Sequence, residues 1–405
     1  MSDVVQPSSP ASTQRKSGRD SPMSITGVGA VTGYGWGAKH IWDGFLLGES
    51  SVKLTTGLDG YVDGGQAYIS TIPDEGDRHD GPSRFMQALR FAAREAVTDA
   101  TERGWKPGPA VGVVHSIVLG DVEMWSDFYQ GDKERVRVKR WVNMMPSTVI
   151  SQFMKENDFH GPAMSVSAMC ASANAGVITA KSWLDSGIAS DVILLATDVS
   201  GLPIFLRRFS DLGVQVLDRP PFDACRPFQE GSGGFVGGEA AVAMVMSNKS
   251  DGAYASVLGG AMTMDAYNLV AVAPDLKEMF RCFHEALATS GVDPSEVAYL
   301  NAHGTGTAMG DASEARVLDE LFPDAHGIFS VKPLVGHCQA AGAAVEILAT
   351  IYAFQTGYIP APPQVAPGHA RLVDGRTPRL PGLMVKSSIG MGGYNTVVII
   401  EGSDD

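Results

Sequence analysis

Cys170 is the residue of this 405-residue sequence that is best placed to act as a nucleophile. It lies in the segment SVSAMCASANAGVITA, where a short apolar strand is predicted to run into a helix of small residues. At such a turn, unpaired N–H groups and the helix dipole favour thiolate over thiol. Free cysteines are also commonly buried as small inert hydrophobes. Taken alone, the segment supports the two interpretations about equally.

Three later segments place histidine, lysine and glycine where they could complete a site. NAHGTGTAMGDASEAR has His303 at the end of a predicted strand, from which an imidazole can donate a hydrogen bond to a substrate carbonyl. SVKPLVGHCQAAGAAVE has Lys332 at a strand end and His337 before an apolar helix. KSSIGMGGYNTVVIIE predicts a sharp glycine turn that can offer a backbone N–H to an oxyanion. The ordinary alternatives are a loop-capping histidine, an exposed lysine and a plain hairpin.

The elements that must position these segments alternate between strands and helices, which indicates a layered α/β architecture. Strands are predicted at 24–32, 110–118, 164–168, 191–197, 254–260, 297–302, 328–332, 384–388 and 396–401, and helices at 84–102, 170–184, 276–290 and 340–354. We expect a first half over 24–265 with the cysteine and a second over 266–405 with both histidines. Residues 1–23 are polar and are predicted to be a disordered extension.

Composition argues against several classes of function. A formal net charge of −14 disfavours broad nucleic-acid binding, which needs a basic surface. No uninterrupted apolar run reaches the roughly 20 residues of a membrane helix. Four cysteines without a CxxC pair, and without a secretory signal, predict reduced thiols in the cytoplasm. No metal-ligand spacing is present, so neither a metal nor another cofactor is expected.

The order of the four segments resembles the β-ketoacyl-acyl-carrier-protein synthase family, in its elongating branch with a Cys-His-His triad. The resemblance rests on the cysteine, HGTGT with D-x-x-E, K-x-x-x-x-GH, and a G-x-G-G turn followed by Asn395, and it covers nearly the whole chain after residue 23. It implies a thiolase-like fold, with two similar halves in a five-layered α/β/α/β/α sandwich, usually as a homodimer. The implied reaction is decarboxylative Claisen condensation with malonyl-ACP (acyl carrier protein), as a 3-oxoacyl-ACP synthase of fatty-acid, related lipid or polyketide biosynthesis.

The resemblance also assigns catalytic roles by position. Cys170 matches the acylated nucleophile, and His303 and His337 match the pair around the malonyl thioester carbonyl. Lys332 and Glu314 match a supporting polar pair that organises the site.

Further matched positions concern the substrate pocket. Backbone N–H groups of Cys170 and Met391 would form the oxyanion hole, and Thr305 and Thr307 match threonines that contact the pantetheine arm. The family's gatekeeper turn usually reads GFGG, whereas this chain has GMGG. Met391 therefore replaces a phenylalanine, and Ile389 stands where another is common. Because methionine is flexible, we predict altered acyl-chain selection or gating with the chemistry retained.

An acidic carrier protein needs a basic docking surface. The candidate residues are Lys133, Arg135, Arg137, Lys139, Arg140, Arg207 and Arg208. A solvated charged face is the ordinary alternative. Docking predicts an affinity that falls with added salt.

Four rival functions are weighed against this interpretation. A thiolase acting on CoA esters normally has a second catalytic cysteine near its C-terminus, and Gly390–Asn395 contains none. His337 disfavours a starter-unit synthase of the Cys-His-Asn type. A non-catalytic partner subunit, like a chain-length factor, is expected to lack the nucleophile. A nicotinamide oxidoreductase is suggested by Gly27, Gly29 and Gly33, but their spacing is GxGxxxG and not GxGxxG.

Overall fold

Strands and helices alternate along the part of the chain that the computed structural model describes, which is Arg19 and residues 21–131 and 138–403. Within these residues the strands are β1 (Met23–Thr32), β2 (Gly35–Trp36), β3 (Lys53–Thr56), β4 (Gln66–Ser70), β5 (Val111–Ser116), β6 (Ala163–Val166), β7 (Asp191–Asp198), β8 (Gly237–Gly238), β9 (Ala240–Ser247), β10 (Ala255–Met264), β11 (Val297–Asn301), β12 (Gly327–Phe329), β13 (Tyr358–Pro360), β14 (Arg376–Pro378), β15 (Leu383–Gly390) and β16 (Tyr394–Gly402). The helices are α1 (Ala38–Leu47), α2 (Arg84–Glu102), α3 (Val122–Gln130), α4 (Val138–Asn143), α5 (Pro146–Asn157), α6 (Ser172–Asp185), α7 (Pro203–Asp211), α8 (Pro221–Ala224), α9 (Lys277–Ser290), α10 (Ala308–Leu321), α11 (Lys332–Val335) and α12 (Gly342–Thr356). None of these helices is both long and apolar enough to span a bilayer.

Two sets of five strands repeat the same order and the same directions. The first set runs β6-β5-β7-β9-β1 and the second runs β12-β11-β15-β16-β10. In each set the first three strands are parallel and the last two are added antiparallel. Numbered by position along the chain, both sets read 3-2-4-5-1. The chain therefore folds as two similar halves, and a short antiparallel pairing of β1 with β10 joins their sheets.

The repeat also bears on the predicted boundaries. Strand order places β10 first in the second half, whereas the predicted division at residue 265 leaves that strand in the first half. The division stays a prediction.

Met23, assigned to the extension by the sequence, is instead the first residue of β1, buried and paired with Val257. Residues 1–18 lie outside the described part of the chain.

Helices cover both faces of each half-sheet, and the alternation of side chains along the strands shows this directly. On β9, Ala241, Ala243 and Val245 belong to the apolar cluster that contains α2 and α5. Val242 and Met244 face the opposite way, into the cluster that contains α6 and α12. In the second half, β16 alternates in the same manner between the α12 cluster and a cluster formed by α9 and α10. These layers form the five-layered α/β/α/β/α sandwich that the resemblance implies.

Two of the glycines that suggested a nucleotide-binding loop have a packing role. A Cβ atom on Gly29 would lie 2.1 Å from the Ala92 carbonyl oxygen, and one on Gly27 would lie 2.4 Å from that of Ala96. Both glycines are in the middle of β1, where the backbone of α2 packs directly against the strand. They therefore allow close strand–helix packing, which argues against the nicotinamide rival.

Two differences from the sequence predictions concern β12 and β9. The predicted strand over 328–332 ends at Phe329, and Lys332 begins the one-turn helix α11. Pro333 explains the change, because its fixed φ suits the first helical turn, where its missing N–H is not needed. β9 was not predicted, although it is a continuous run of small and apolar residues buried between two helical layers.

Candidate active site

The segments whose side chains could take part in a reaction converge where parallel strands end and helices begin. This is the usual ligand-binding edge of α/β sheets. Cys170 lies after β6 and two residues before α6, and His303 lies two residues after β11. His337 lies between β12 and α12. Because β6 and β12 are the third strands of their halves, Cys170 and His337 occupy corresponding connections in the repeat. α6 contacts α12 in the central layer, which brings the two connections together.

Cys170, His303 and His337 form one compact cluster. The Nε2 atom of His337 is 3.1 Å from the Sγ atom of Cys170. The two imidazole rings lie 5.4 Å apart, centroid to centroid, at an interplanar angle of 79°. All three potential ligand or reactive atoms fall within 4.8 Å of one another. The structure thus places together the three residues that the sequence assigned to the triad.

The thiol of Cys170 is neutral at rest, contrary to the expectation that its position near a helix start favours thiolate. Burial raises the pKa of Cys170 to about 12, against the opposing effects of Lys332 and of backbone N–H groups. Only 6% of the residue is exposed, so loss of solvation outweighs the helix terminus. To act as a nucleophile the sulfur would have to lose its proton, and His337 Nε2 is a basic atom within hydrogen-bonding reach.

Both histidines are also neutral at ordinary pH. Burial, followed by the charge of Lys332, lowers the pKa of His303 well below 6.5. The same two causes, in the same order, lower the pKa of His337. A neutral imidazole can accept a proton from a thiol or donate a hydrogen bond to a carbonyl oxygen. The ring of Phe235 packs edge-on against His337 at 4.8 Å and covers it.

Glu314 holds the backbone at His303. One carboxylate oxygen accepts hydrogen bonds from the His303 N–H at 2.8 Å and from the Ser387 hydroxyl at 2.5 Å. The other accepts the Gly304 N–H at 2.7 Å. Glu314 is buried on α10, so these donors satisfy its charge and fix the loop from which His303 projects.

Lys332 supports His303 from the other side. Its ammonium group donates to the His303 carbonyl oxygen and lies 3.4 Å from His303 Nδ1. Its carboxylate partner is Glu346, with which it forms a buried ion pair. The sequence grouped Lys332 with Glu314, and both side chains bind the backbone of His303, but the ion-pair partner of Lys332 is Glu346 and not Glu314. Glu346 could have been recognised, because a carboxylate inside an otherwise apolar helix needs a buried cation.

A second buried lysine, Lys386, was missed by sequence reasoning. Its Nζ atom is 2.8 Å from Glu346 Oε2 and 3.2 Å from the Asn301 carbonyl oxygen, and it also donates to the Ser387 carbonyl. The side chain is 0% exposed. The available signal was a lysine in the apolar strand LMVKSSIG, where an unpaired ammonium group could not be buried.

The turn between β15 and β16 approaches the sulfur. Backbone N–H groups of Cys170 and Met391 act on the Cys170 sulfur and lower its pKa. Gly392 and Gly393 adopt φ values of 90° and 89°, which favour glycine and allow this turn. These are the two N–H groups predicted to form the oxyanion hole, and that role stays a prediction.

A cavity of about 230 Å³ opens onto Cys170. The hydroxyl oxygens of Thr305 and Thr307 lie 2.9 Å apart beside it. All four predicted substrate-binding residues line the cavity: Thr305, Thr307, Ile389 and Met391. Most of the remaining wall is apolar, with Phe209, Phe235, Val270 and Met309 among its residues. An apolar cleft with a few placed polar groups suits an extended acyl or pantetheine chain.

The triad is also the one group of side chains in the described ranges that could hold a metal ion. Thiolate and imidazole are donors that Zn²⁺ prefers. However, the buried ammonium groups of Lys332 and Lys386 lower the pKa of both histidines, so they place positive charge next to the same pocket. That charge opposes the binding of a dication.

The predicted docking residues are only partly described. Lys133, Arg135 and Arg137 lie outside the described residues, and Lys139 and Arg140 are described by backbone alone. Arg207 and Arg208 are on α7, with 43% and 68% of their side chains exposed, and both pair with Asp211. Phe209 on the same helix lines the cavity, so α7 borders it.

Comparisons with known proteins agree with this geometry. The chain is 29% identical to 3-oxoacyl-[acyl-carrier-protein] synthase I, chloroplastic, of Hordeum vulgare, across 96% of this chain and 91% of that protein. It is 28% identical to 3-oxoacyl-[acyl-carrier-protein] synthase 2 of Staphylococcus aureus, across 93% of this chain and 100% of that protein.

Solved structures resemble the fold closely. A ketosynthase in complex with its chain length factor from Xenorhabdus doucetiae matches with a TM-score of 0.81 at 20% identity, covering 95% of this chain and 98% of that chain. A type II polyketide synthase ketosynthase in complex with its acyl-carrier protein matches with a TM-score of 0.81 at 21% identity, covering 94% and 99%. These likenesses confirm the predicted thiolase-like fold.

Family models match most of the chain. The model described as "Beta-ketoacyl synthase, N-terminal domain" matches residues 20–252. The model described as "Beta-ketoacyl synthase, C-terminal domain" matches residues 254–365. The first match alone exceeds half of the sequence, and the second begins two positions after the first ends, in the connection between β9 and β10. The chain belongs to the β-ketoacyl synthase family of condensing acyltransferases.

Proposed function

We propose that this chain is a 3-oxoacyl-ACP synthase, which joins an acyl chain held on Cys170 to a malonyl unit carried by ACP, with loss of CO₂. The observation that carries the proposal is the 3.1 Å contact between His337 Nε2 and the Cys170 sulfur, with His303 beside it. Two curated relatives that match along nearly their whole length are named for this activity.

The first half-reaction loads the acyl chain. The Cys170 sulfur attacks the carbonyl carbon of an acyl-ACP thioester, and its proton passes to His337 Nε2. The N–H groups of Cys170 and Met391 stabilise the resulting oxyanion. The bond from that carbon to the carrier sulfur then breaks, and the carrier sulfur leaves with the proton. An acyl thioester on Cys170 remains.

The second half-reaction forms the carbon–carbon bond. The bond between the malonyl methylene carbon and its carboxylate breaks, CO₂ leaves, and the electron pair forms an enolate. Its charge develops on the thioester oxygen, which His303 and His337 stabilise as neutral hydrogen-bond donors. The enolate carbon attacks the acyl carbonyl on Cys170. The carbon–sulfur bond breaks, and the thiolate takes a proton from water to regenerate the buried thiol.

A carrier protein and a second copy of the chain are the proposed partners. The exposed Arg207 and Arg208 on α7, which borders the cavity, support docking of an acidic carrier. β6 ends the sheet with an exposed edge, and its Met164 is 43% exposed. An unpaired apolar edge is suited to pairing with another strand, which supports the homodimer. The cytoplasm stays the predicted location.

The thiolase rival receives no support from the other cysteines. Cys225, Cys282 and Cys338 are buried, and none is among the residues that line the cavity in the described part of the chain. A thiolase would need a second thiol beside Cys170.

A condensation assay tests the function. Purified protein is mixed with malonyl-ACP and a panel of acyl-ACPs in the presence of EDTA, while CO₂ release and product mass are followed. We expect 3-oxoacyl-ACP products, with Cys170→Ala lowering condensation by about 10⁴-fold or more. Because no metal is proposed, EDTA should leave the rate unchanged. Condensation of two CoA esters without CO₂ release would support the thiolase instead, and absence of both products would support a partner subunit.

A further inference from the structure

Two ammonium groups share one carboxylate behind the histidines. Lys332 pairs with one oxygen of Glu346, and Lys386 lies 2.8 Å from the other. All three side chains are almost completely buried. The proposed reaction already gives Lys332 a supporting place beside His303, whereas nothing yet explains the second lysine.

Lys386 is surrounded by oxygen atoms from the elements that carry the site. Besides its ion pair with Glu346 on α12, it donates to the Asn301 carbonyl at the end of β11 and to the Ser387 carbonyl on β15. Asn301 is two residues before His303, and its side chain donates to the Glu346 carbonyl at 2.7 Å. Ser387 in turn donates to Glu314. Lys386 thus links both carboxylates that flank the His303 loop.

Packing alone does not explain why a lysine occupies position 386. A buried ion is costly compared with an apolar side chain of similar shape, so methionine would fill the same space at lower cost. Charge balance gives a better reason. Glu314 and Glu346 place two negative charges around His303, and Lys332 and Lys386 supply two positive ones. Without Lys386 the cluster would carry a net negative charge next to an oxygen on which negative charge must develop.

We propose that Lys386 is a positioning residue for the decarboxylation step: it holds Glu346, and through it Lys332, against His303, and it supplies positive charge to the pocket that stabilises the enolate. This inference rests on the proposed condensing function. It assigns no contact between Lys386 and substrate, because the lysine acts through Glu346 and the histidines.

The direction of the pKa shifts of His303 and His337 supports the same role for Lys386. Cys170 contacts His337, and Lys332 and Lys386 act on both rings. Glu314 binds the His303 backbone, and Glu346 binds the two lysines. Lys386 contributes to lowering the pKa of both histidines, after burial and Lys332 for His337 and after burial, Lys332 and His337 for His303. Removing its charge should therefore raise both pKa values, so that the imidazoles become protonated at a higher pH. Lys386 is not among the main causes that shift the pKa of Cys170, so acylation should depend on it less.

The test separates the two half-reactions in Lys386→Met, Lys386→Gln and Lys386→Arg. Acylation of Cys170 by acyl-ACP and CO₂ release from malonyl-ACP are measured across pH, both normalised to the protein molecules that become acylated. In the Met and Gln variants we expect decarboxylation to fall about 10-fold to 100-fold, while acylation changes by less than about threefold. The acid limb of the decarboxylation profile should move to higher pH in these two variants, and K386R should restore it toward that of the wild type.

Lys181→Met is the matched control. Lys181 is a largely buried lysine on α6. It pairs with Asp185 at 3.0 Å and donates to the Ser21 carbonyl, away from the histidines. It should leave both half-reactions and the acid limb unchanged. Equal losses of both half-reactions in the Lys386 variants, or an unshifted acid limb, would overturn the proposal. Loss of acylation in all three variants would assign Lys386 to the fold and overturn it too. A wild-type protein that releases no CO₂ would instead refute the proposed function.

Discussion

His337 Nε2 lies 3.1 Å from the Cys170 sulfur, although 167 positions separate the two residues along the chain. His303 is beside His337 but is tied to Lys332 and Glu314, not to the sulfur. The two histidines are therefore placed for different shares of the reaction, and this difference can be measured.

His337→Gln and His303→Gln should separate the half-reactions. We expect His337→Gln to slow acylation of Cys170 by about 10²-fold or more, because it removes the base that takes the thiol proton. His303→Gln should leave acylation near the wild-type rate and lower decarboxylation by about 10²–10³-fold. Stopped-flow acylation and CO₂ release measure the two steps. His326→Gln, at an exposed position, is the control, and equal effects of the two active-site variants on acylation would contradict the assignment.

The pH–rate profile should be broad. Because burial and Lys332 lower the pKa of His303 and His337 well below 6.5, activity should fall only below pH 6.5, when the imidazoles take up protons. Because the pKa of Cys170 is raised to about 12, its alkylation by iodoacetamide should keep rising up to pH 10 without a plateau. An acid limb at or above 6.5, or an alkylation plateau near pH 8, would be inconsistent with the buried neutral pair. Unfolding curves at each pH separate titration from loss of structure.

Acid stability should depend on His115. This histidine is on β5, completely buried against Phe85, and neither ring nitrogen has a hydrogen-bond partner among the described residues. Burial lowers its pKa from 6.5 to about 4, so the unfolded chain binds a proton more readily than the folded one. The free energy of unfolding should therefore fall as pH drops below 6.5, by about 2 kcal/mol between pH 7 and pH 5 from this group. His115→Leu should remove that part of the slope in urea titrations; an unchanged slope would refute it.

Carrier binding should be sensitive to salt. The affinity for ACP is expected to fall as salt is raised, and Arg207→Ala with Arg208→Ala should weaken binding about 3-fold to 10-fold at low salt. The double variant should also show a smaller salt dependence. Arg281→Ala removes an equally exposed, ion-paired arginine on α9 and is the control. A salt-independent dissociation constant in the wild type would contradict docking through charge.

Acyl-chain selection should respond to residue 391. Met391→Phe should change the preference between long and short acyl-ACPs by about 10-fold, because this side chain lines the cavity and phenylalanine is stiffer and bulkier than methionine. The measurement is kcat/KM across a series of acyl lengths. Met262→Phe, on β10 and half exposed, is the matched control. Identical chain-length profiles for wild type and M391F would remove the gating hypothesis.

Sequence reasoning succeeded where a local segment contains its own signal. A cysteine between a strand and a helix of small residues, a histidine at a strand end, and a glycine turn each predicted a position, and their shared order indicated the fold. The structure then places Cys170, His303 and His337 in one cluster. The duplicated strand order could not be derived from periodicity, because it depends on which strands pair across the sheet.

The remaining features depend on burial and long-range partners. The charge state of Cys170 was predicted from the helix start, but burial has the larger effect on its pKa. Glu346 and Lys386 were not assigned to the site, since their pairing joins a helix to a strand that is distant in sequence. Lys332 was expected at a strand end, yet the following Pro333 turns the chain into a helix.

The reactive side chains are divided between the two halves that share the repeated strand order. One copy contributes the sulfur and the other contributes both imidazoles, so neither copy holds a complete reaction centre. In the proposed mechanism, catalysis therefore takes place at the interface between the two halves, along α6 and α12. A substitution buried in that interface, far from any substrate, can alter turnover by changing how the two halves pack against each other.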